Sequence, residues 1–365
     1  MRVLVWQWGR FGVAPRLAAL LAEALRSLPH TEALLSLSRG AELLRSVAAP
    51  QCDLPVSTYR GLPGFACRLA TAPFAIPRLA RRIASLRPDL AVCAMPGPLD
   101  LLMAAALRRL HIPFVVLVHD ADIHPGDGLP LQMHLQRALC RRAAAVGALT
   151  AHVGERLRAQ GLAGTPARPL LALSLPPVDF AVPPRDSASD GTLRLLSFGR
   201  LLPYKGLDLL AEALATLGPR PGVAVRVVGS GPESTTLAAL RRLPGVTVEN
   251  RWVPEDEIGA LLGWSDALVL PYREASQSGV AAAAIAAGRR VLATRVGGLA
   301  EQLADAPGII LCEPDAASLV AGLRCLIEAP RDAVAPPPAD PRAAWRELAA
   351  SLMRQIEGLA GTPRF

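Results

Sequence analysis

The stretch Leu193–Leu217, LRLLSFGRLLPYKGLDLLAEALATL, contains one complete strand, loop and helix. Its first six residues form an apolar run of strand length, and Leu207–Leu217 repeats apolar side chains at helical spacing. The loop between them contains Gly199, Arg200 and Lys205, and Lys205 is the only lysine among 39 basic side chains. A guanidinium and an ammonium beside a helix N-terminus suit a diphosphate, because both supply donors and positive charge. Alternatively, an arginine-rich composition left one lysine by chance.

Strand-like and helix-like segments alternate along the rest of the chain, which predicts parallel sheets covered by helices on both faces. The predicted strands are Val3–Trp6, Leu90–Ala94, Phe114–His119 and Ala145–Thr150, then Leu193–Phe198, Val223–Val228, Val246–Glu249, Ala267–Leu270, Arg290–Ala293 and Ile309–Leu311. A chain of 365 residues suits two domains, and proline-rich polar segments at 181–192 and 329–342 mark the breaks. We therefore predict an α/β protein with an N-terminal domain (1–180), a C-terminal domain (190–342) and a final helix (343–365).

Four segments of the second half resemble, in their order and spacing, the retaining glycosyltransferases of family 4. These segments are FGRLLPYKGLDLLAEAL (198–214), VVGSGPE (227–233), WVPEDEIGALLGWSDALVLPYREASQSGV (252–280) and AAGRRVLATRVGGLAEQL (286–303). The resemblance covers residues 190–310 best. It implies the GT-B fold, in which two doubly wound Rossmann-like domains flank an interdomain cleft and the final helix returns to the N-terminal domain.

Ligands of such sheets bind outside the carboxyl ends of the strands, where this chain has several glycine-containing loops. The resemblance implies that the donor, a nucleoside-diphosphate sugar, is bound by Gly9, Gly12, Gly199, Arg200, Lys205, Gly229, Gly231, Trp252, Val253, Glu274, Ser276, Gln277, Ser278, Gly279 and Val280. Each glycine alone would equally suit a tight turn with no ligand, so only their convergence on one sheet edge favours a binding site.

The polar segment HDADIHPG (119–126) follows an apolar predicted strand, so His119 and Asp120 emerge at its carboxyl end. In family 4 a histidine at this point lies near the transferred sugar. The resemblance therefore implies that His119, Asp120, Arg200 and Lys205 are catalytic, although a histidine at a strand end can also be purely structural. His119, Asp122 and His124 could bind a metal, but their spacing is not distinctive.

The resemblance also implies a reaction with no metal and no cofactor, in which Arg and Lys manage the charge of the diphosphate. The sugar would be transferred with retention of configuration and without a side-chain nucleophile. The departing phosphate would help to deprotonate the acceptor, which is lipid-linked or a saccharide.

One feature of the family is missing from this sequence. Family 4 usually has two glutamates eight residues apart, but the corresponding positions are Ala275, with Glu274 adjacent, and Ala283. The resemblance assigns the second glutamate to the donor ribose, whose hydroxyls alanine cannot bind. Ser276, Gln277, Ser278 and the amide of Gly279 are the predicted substitutes, although Ser276 or Ser278 would equally serve as a helix cap. A nucleotide-sugar epimerase or hydrolase and a non-catalytic scaffold are the alternative functions.

The charge of the chain is concentrated in its first half. Residues 1–180 hold 20 Arg against 11 Asp and Glu, whereas residues 181–365 hold 19 Lys and Arg against 20 Asp and Glu. Residues 62–87 mix arginines with apolar side chains, which predicts a surface helix on an anionic membrane or, equally, a buried helix with a solvated arginine face. With 4% aromatic residues and dispersed basic ones, we expect no nucleic-acid partner.

The six cysteines form no CxxC pair and lie mostly within apolar segments, which predicts buried thiols in a reducing compartment. The N-terminal apolar run is too short for a signal peptide, and no apolar stretch reaches the ~20 residues of a spanning helix. We expect a cytoplasmic protein, or one attached to the cytosolic face of the inner membrane.

Overall fold

The computed structural model describes residues 1–46, 49–126, 130–183, 191–329 and 340–359. These residues form two compact units. The first lies within Met1–Asp122, Leu129–Ser174 and Arg342–Phe365, and the second within Ile123–Gly128 and Leu175–Pro341. The predicted breaks at 181–192 and 329–342 fall largely on 184–190 and 330–339, outside the described residues.

The first unit contains a six-stranded parallel sheet in the order β2-β1-β3-β4-β5-β6. Its elements are β1 (Arg2–Gln7), α1 (Ala14–Arg26), β2 (Glu32–Leu37), a short 3-10 helix (Glu42–Arg45), α2 (Gly61–Ala70), α3 (Ala72–Leu86), β3 (Leu90–Cys93), α4 (Asp100–Arg109), β4 (Phe114–Val118), α5 (Pro130–Cys140), β5 (Ala145–Ala148), α6 (Ala151–Ala159) and β6 (Leu170–Ala172).

The second unit contains another six-stranded parallel sheet, in the order β12-β11-β10-β7-β8-β9. Its elements are β7 (Leu193–Phe198), a short 3-10 helix (Pro203–Lys205), α7 (Leu207–Leu217), β8 (Val223–Gly229), α8 (Thr235–Arg242), β9 (Val246–Asn250), α9 (Glu255–Trp264), β10 (Ala267–Leu270), α10 (Gly279–Ala286), β11 (Arg290–Thr294), α11 (Gly297–Leu303), β12 (Ile309–Cys312) and α12 (Ala316–Glu328).

The last helix, α13 (Pro341–Glu357), lies almost entirely in the first unit. Its Gln355 side chain accepts a hydrogen bond from the backbone N–H of Ala172 at 3.1 Å and donates one to the Ala172 carbonyl at 2.9 Å. Gln355 thus bonds to β6 as a neighbouring strand would, which fixes the helix against this edge of the first sheet.

Both sheets form because their central strands are short apolar runs that helices cover on each face. All of β3, β4, β10 and β11 is buried. In the first core the Trp6 ring meets the Phe114 ring edge-on at 5.9 Å. The strand order of both sheets requires crossover connections, and helices on the chain between successive strands supply them.

Each predicted strand is confirmed to within two residues. Two strands were not predicted, β2 and β6, and β6 is only three residues long. The single helix expected over 62–87 is wrong, because the segment breaks at Thr71 into α2 and α3. The expectation of buried thiols is also wrong for Cys67 and Cys325, which are exposed.

Within the described ranges, no helix combines the length and the apolar character needed to cross a membrane.

Candidate functional site

The second sheet reverses its strand order between β7 and β10, because β8 and β9 lie on one side of β7 and β11 and β12 on the far side of β10. The loops that leave such neighbouring strands diverge, and they open a crevice at the carboxyl edge in which ligands of this fold class bind. Here these loops are 199–206 after β7 and 271–278 after β10. They contain most of the predicted donor-binding residues.

Glycine allows the two loops to touch through their backbones. Gly206 has a φ of +63°, and a Cβ at this position would lie 1.8 Å from the Pro271 carbonyl oxygen. The Arg273 N–H donates to the Tyr204 carbonyl at 2.8 Å across the same contact. A side chain at position 206 would therefore separate the loop after β7 from the loop after β10.

A second glycine serves the loop after β8. A Cβ on Gly229 would lie 1.6 Å from the Gly199 carbonyl oxygen, so these strand ends also meet backbone to backbone. Gly231 lies close to Leu201, because a Cβ on Gly231 would be 2.2 Å from the Leu201 carbonyl oxygen. The sequence-predicted Gly199, Gly229 and Gly231 thus lie together at one edge of the sheet, and the missing side chains of Gly229 and Gly231 make room for the loop after β7.

The two predicted cations, Arg200 and Lys205, lie around the ring of Tyr204. The Arg200 guanidinium donates to the Tyr204 hydroxyl at 2.8 Å. The Lys205 ammonium lies 4.9 Å from the centre of the Tyr204 ring and 3.6 Å from the centre of the Tyr272 ring. Among the residues that the structure describes, Lys205 forms no ion pair. The Lys205 ammonium therefore lies against aromatic ring faces and can also bind an anionic ligand.

The N-terminus of α10 lies at the same edge. Ser278 caps this helix by accepting a hydrogen bond from the Ala281 N–H at 3.2 Å, as one of the two interpretations of this serine predicted. Gln302 fixes the Ser278 backbone from both sides, accepting from its N–H at 2.8 Å and donating to its carbonyl at 3.0 Å. Val280 lies beside Gly199, within 3.5 Å of where a Cβ would be. Residues 279 and 280 therefore start a rigidly held helix beside the loop after β7.

His124 is a member of this cluster, although the sequence analysis named it only as a conceivable metal ligand. It belongs to the second unit, and its ring stacks on Tyr204 with centroids 4.7 Å apart and planes 15° from parallel. Its Nδ1 lies 3.4 Å from Glu274 Oε2 and its Nε2 lies 3.5 Å from Ser276 Oγ, both long for hydrogen bonds. His124 therefore joins Tyr204 to the loop after β10.

Other predicted donor residues lie apart from these contacts. Trp252 is exposed and Val253 is buried, both on the segment between β9 and α9. Gly9 and Gly12 belong to the first unit, where the Gly9 N–H donates to Gln7 Oε1 at 2.9 Å and Gly12 has a φ of +78°. Gln277 is half-buried in the loop after β10.

His119 directly follows β4 and is almost completely buried. Its Nε2 lies 3.0 Å from the Ala94 carbonyl oxygen. Burial lowers the pKa of His119 to about 4, against an opposing effect of Asp120, so the ring is neutral at physiological pH. The Asp120 carbonyl accepts from Gln136 Nε2 at 2.6 Å, which holds the start of the polar segment.

Asp100 is a buried acid that the sequence analysis did not single out. It begins α4, 1% exposed, with its Oδ2 accepting from the Gly97 N–H at 2.6 Å and from Cys93 Sγ at 3.4 Å. Burial raises the pKa of Asp100 to about 7, although the Gly97 N–H acts in the opposite direction. Only burial distinguishes it from other helix-start aspartates, and burial cannot be recognised from a single acidic residue in a sequence.

Ala283 lies on α10 and is 2% exposed, so the position of the missing family glutamate is packed inside the second unit.

The three residues weighed as a metal site are each engaged elsewhere. His119 bonds to Ala94, Asp122 accepts from Arg156 Nε at 2.7 Å and from Gln160 at 2.9 Å, and His124 lies against Glu274 and Ser276. Across the described part of the chain, no three His, Cys, Asp or Glu residues are grouped to hold a metal ion.

Comparison with known proteins identifies the family of this chain. Residues 14–168 match the family model described as Glycosyltransferase Family 4, and residues 192–329 match the model described as Glycosyl transferases group 1. The chain belongs to the family 4-like glycosyltransferases.

Relatives of this family 4-like chain include two bacterial enzymes. The glycogen synthase of Mycobacterium tuberculosis is 31% identical over 169 residues, which are 45% of this chain and 38% of the relative. The 2-deoxystreptamine glucosyltransferase of Streptomyces kanamyceticus is 27% identical over 255 residues, 62% of this chain and 64% of the relative. The chain thus spans less than two thirds of the length of either relative.

Among solved structures, the Anabaena protein HepE in complex with UDP and glucose has a TM-score of 0.68 to this chain. The two are 18% identical, and the match covers 98% of both chains. This likeness supports the GT-B fold, which the two six-stranded parallel sheets of the family 4-like chain also show.

Proposed function

We propose that this chain is a retaining glycosyltransferase that moves a sugar from a nucleoside-diphosphate sugar to a lipid-linked or saccharide acceptor. The observation that carries the proposal is the meeting of Arg200, Lys205 and the N-terminus of α10 at the switch point of the second sheet. A fork of guanidinium donors, an ammonium and free helix N–H groups together suit a diphosphate. The UDP complex of HepE agrees with this class of donor.

In the proposed reaction the bond between the sugar and the diphosphate breaks, and negative charge develops on the departing phosphate. Arg200 and Lys205 offset that charge, which lowers the barrier because they are already in place before the bond breaks. The departing phosphate assists the removal of the acceptor proton, so no side-chain nucleophile, metal or cofactor is needed. His119, neutral at physiological pH, has a supporting role toward the sugar, as the family resemblance implies.

The donor ribose needs other partners than a glutamate at 283. The loop after β10 offers Ser276, Gln277 and the Gly279 N–H, while Ser278 is already used as the helix cap. We assign the ribose to this loop, with Glu274 as its exposed carboxylate.

The surface of the first unit supports an anionic membrane as a partner. Leu62 and Phe74 are 71% and 68% exposed on α2 and α3. Arg78, Arg81 and Arg82 are exposed on α3, while its Leu79 and Ile83 are buried. Exposed apolar groups beside arginines suit the interface of an anionic bilayer. Phe65 does not join them, since it packs edge-on against Tyr59 with ring centres 5.1 Å apart.

The test begins with thermal stabilisation by UDP, ADP and GDP and by their sugar conjugates. We expect one nucleotide series to stabilise the protein. The best donor, incubated with candidate acceptors, should then yield a product whose anomeric configuration by NMR equals that of the donor. An inverted product, or activity that EDTA removes and a divalent ion restores, contradicts the proposed mechanism.

The alternatives give different results in the same experiments. An epimerase or hydrolase converts the donor without any acceptor, and a non-catalytic scaffold is stabilised by none of the nucleotides.

A further inference from the structure

The chain has three tyrosines, and two of them flank its only lysine. Tyr204 precedes Lys205 in sequence, but Tyr272 comes from the loop after β10. Their proximity depends on the close backbone contact at Gly206, where only glycine allows the Pro271 carbonyl to approach. The hydrogen bond from the Arg273 N–H to the Tyr204 carbonyl fixes the same two loops. The position of Tyr272 relative to Lys205 is therefore set by the backbone.

Tyr272 makes two contacts that point to the proposed diphosphate site. Its ring face lies 3.6 Å from the Lys205 ammonium, closer than the Tyr204 ring at 4.9 Å. Its hydroxyl lies 3.4 Å from Ser278 Oγ, the atom that caps α10. The ring is 2% exposed, and its backbone carbonyl accepts from Thr294 Oγ1 at 2.5 Å, so Tyr272 is itself firmly held.

We propose that Tyr272 is a positioning residue that holds the Lys205 ammonium in register with the N-terminus of α10. This inference rests on the proposed function, because it takes the diphosphate of the donor as the ligand of both groups. A lysine side chain is flexible and loses rotamer entropy when it is fixed. Contact with the Tyr272 ring restricts the Lys205 side chain before the ligand binds, so less entropy is lost on binding. The contact with the ring face leaves the N–H groups of the ammonium able to donate to a phosphate.

The ring and the hydroxyl can be tested separately. Tyr272→Leu removes both, whereas Tyr272→Phe keeps the ring face and removes only the contact to Ser278. We expect Tyr272→Leu to weaken binding of the best nucleoside diphosphate by about tenfold, which lies within the range of a cation–π contact. Tyr272→Leu should weaken binding of the matching nucleoside monophosphate less. The Tyr272→Phe variant should keep most of the wild-type affinity for the diphosphate.

A double-mutant cycle identifies Lys205 as the group through which Tyr272 acts. In a Lys205→Ala background, Tyr272→Leu should lower diphosphate affinity by less than about twofold. Equal effects of Tyr272→Leu in both backgrounds overturn the proposal, as does an equal loss for the monophosphate. A wild-type protein that binds none of the nucleoside diphosphates instead contradicts the proposed function on which the inference rests.

Because Lys205 is the only lysine, a direct measurement needs no variant. Protein labelled with ¹³C-lysine gives one set of side-chain signals, and the ε-methylene protons should be shifted upfield by the ring current of Tyr272. Tyr272→Phe should keep the shift. Signals at the positions of free lysine in the wild-type protein overturn the proposal, even where Tyr272→Leu fails to fold.

Discussion

The carboxyl strand ends of the two units treat polar side chains in opposite ways. In the second unit the charged groups lie beside partners that favour their ionised forms: Arg273 donates to both carboxylate oxygens of Asp208 and lowers the pKa of that carboxyl. The Lys205 ammonium lies against two aromatic rings. In the first unit His119 and Asp100 are buried, and burial favours the neutral form of each. His119 has a pKa near 4, and Asp100 has one near 7.

One arrangement of strands can therefore support two kinds of chemistry. A ligand that carries charge is best met by groups that remain ionised and half exposed, as in the second unit. A neutral ligand such as a sugar hydroxyl is best met by neutral groups, because burying an unpaired charge beside it would be costly. The two units differ more in how deeply the side chains at their strand ends are buried than in the types of residue found there.

The largest effect should follow from removing charge in the second unit. We expect Lys205→Ala to lower turnover by at least ~10²-fold with little loss of folding stability, since charge on the departing phosphate would lose its offset. Arg324→Ala, which removes an exposed cation from α12, is the matched control and should leave turnover unchanged. If the folded Lys205→Ala variant turns over at close to the wild-type rate, the proposed role of Lys205 in the reaction is contradicted.

The exposed arginines of the first unit should matter to a membrane and not to the reaction. We expect exchange of Arg78, Arg81 and Arg82 for glutamine to lower binding to anionic liposomes at least about tenfold at low salt, because each contributes on the order of 1 kcal/mol. The control exchanges the exposed Arg45, Arg108 and Arg109 for glutamine, which gives a variant with the same net charge as the first. Sedimentation with liposomes measures the binding of both variants. An equal loss of binding in the two variants would show that only the net charge matters.

A smaller effect is expected from His119, whose charge should never enter the reaction near neutral pH. We expect His119→Gln to lower turnover roughly fivefold, the value of one hydrogen bond. The pH dependence of kcat/KM between pH 5 and 8 should keep its shape, because a histidine with a pKa near 4 is neutral throughout this range. Loss of an acidic limb near pH 6.5 in the variant would show that His119 titrates in the free enzyme.

The smallest effect concerns the stability of the first unit. Asp100 in the unfolded chain releases its proton near pH 3.8 and in the folded protein near 7, so its contribution to stability falls as pH rises between these values. We expect Asp100→Asn, which cannot ionise, to raise the melting temperature by roughly 3 °C relative to wild type at pH 8.

The gain from Asp100→Asn should be smaller at pH 5, where most of the folded wild-type protein already holds the proton. Thermal unfolding of both proteins at the two pH values tests this expectation. An equal difference at both pH values would mean that Asp100 titrates at an ordinary pKa.

Much of the fold could be predicted from local patterns. The ten predicted strands are present. The central ones, such as β3, β4, β10 and β11, were visible because a strand buried on both faces requires a continuous apolar run. β2 and β6 were missed because Ser36 interrupts the apolar run of β2 and because β6 is only three residues long. The break at Thr71 was missed because the apolar spacing continues across it.

Less of the candidate site could be predicted. Arg200 and Lys205 were found because a motif brings them together within six residues. Tyr272 was only part of a motif, and His124 lies in the first half of the sequence but folds with the second unit. The wrong expectation for Cys67 and Cys325 has the same cause, since apolar neighbours in sequence do not determine which face of a helix is covered.

The two sheets, the family and the place where Arg200 and Lys205 follow β7 could be predicted from local sequence, because these depend on apolar runs and on motifs within one stretch of chain. The contacts of Lys205 with Tyr272 and of His124 with Tyr204, and the burial of Asp100 and His119, became visible only in the folded protein. These properties depend on which distant segments meet at a strand end, and the charge that a buried group carries follows from that packing.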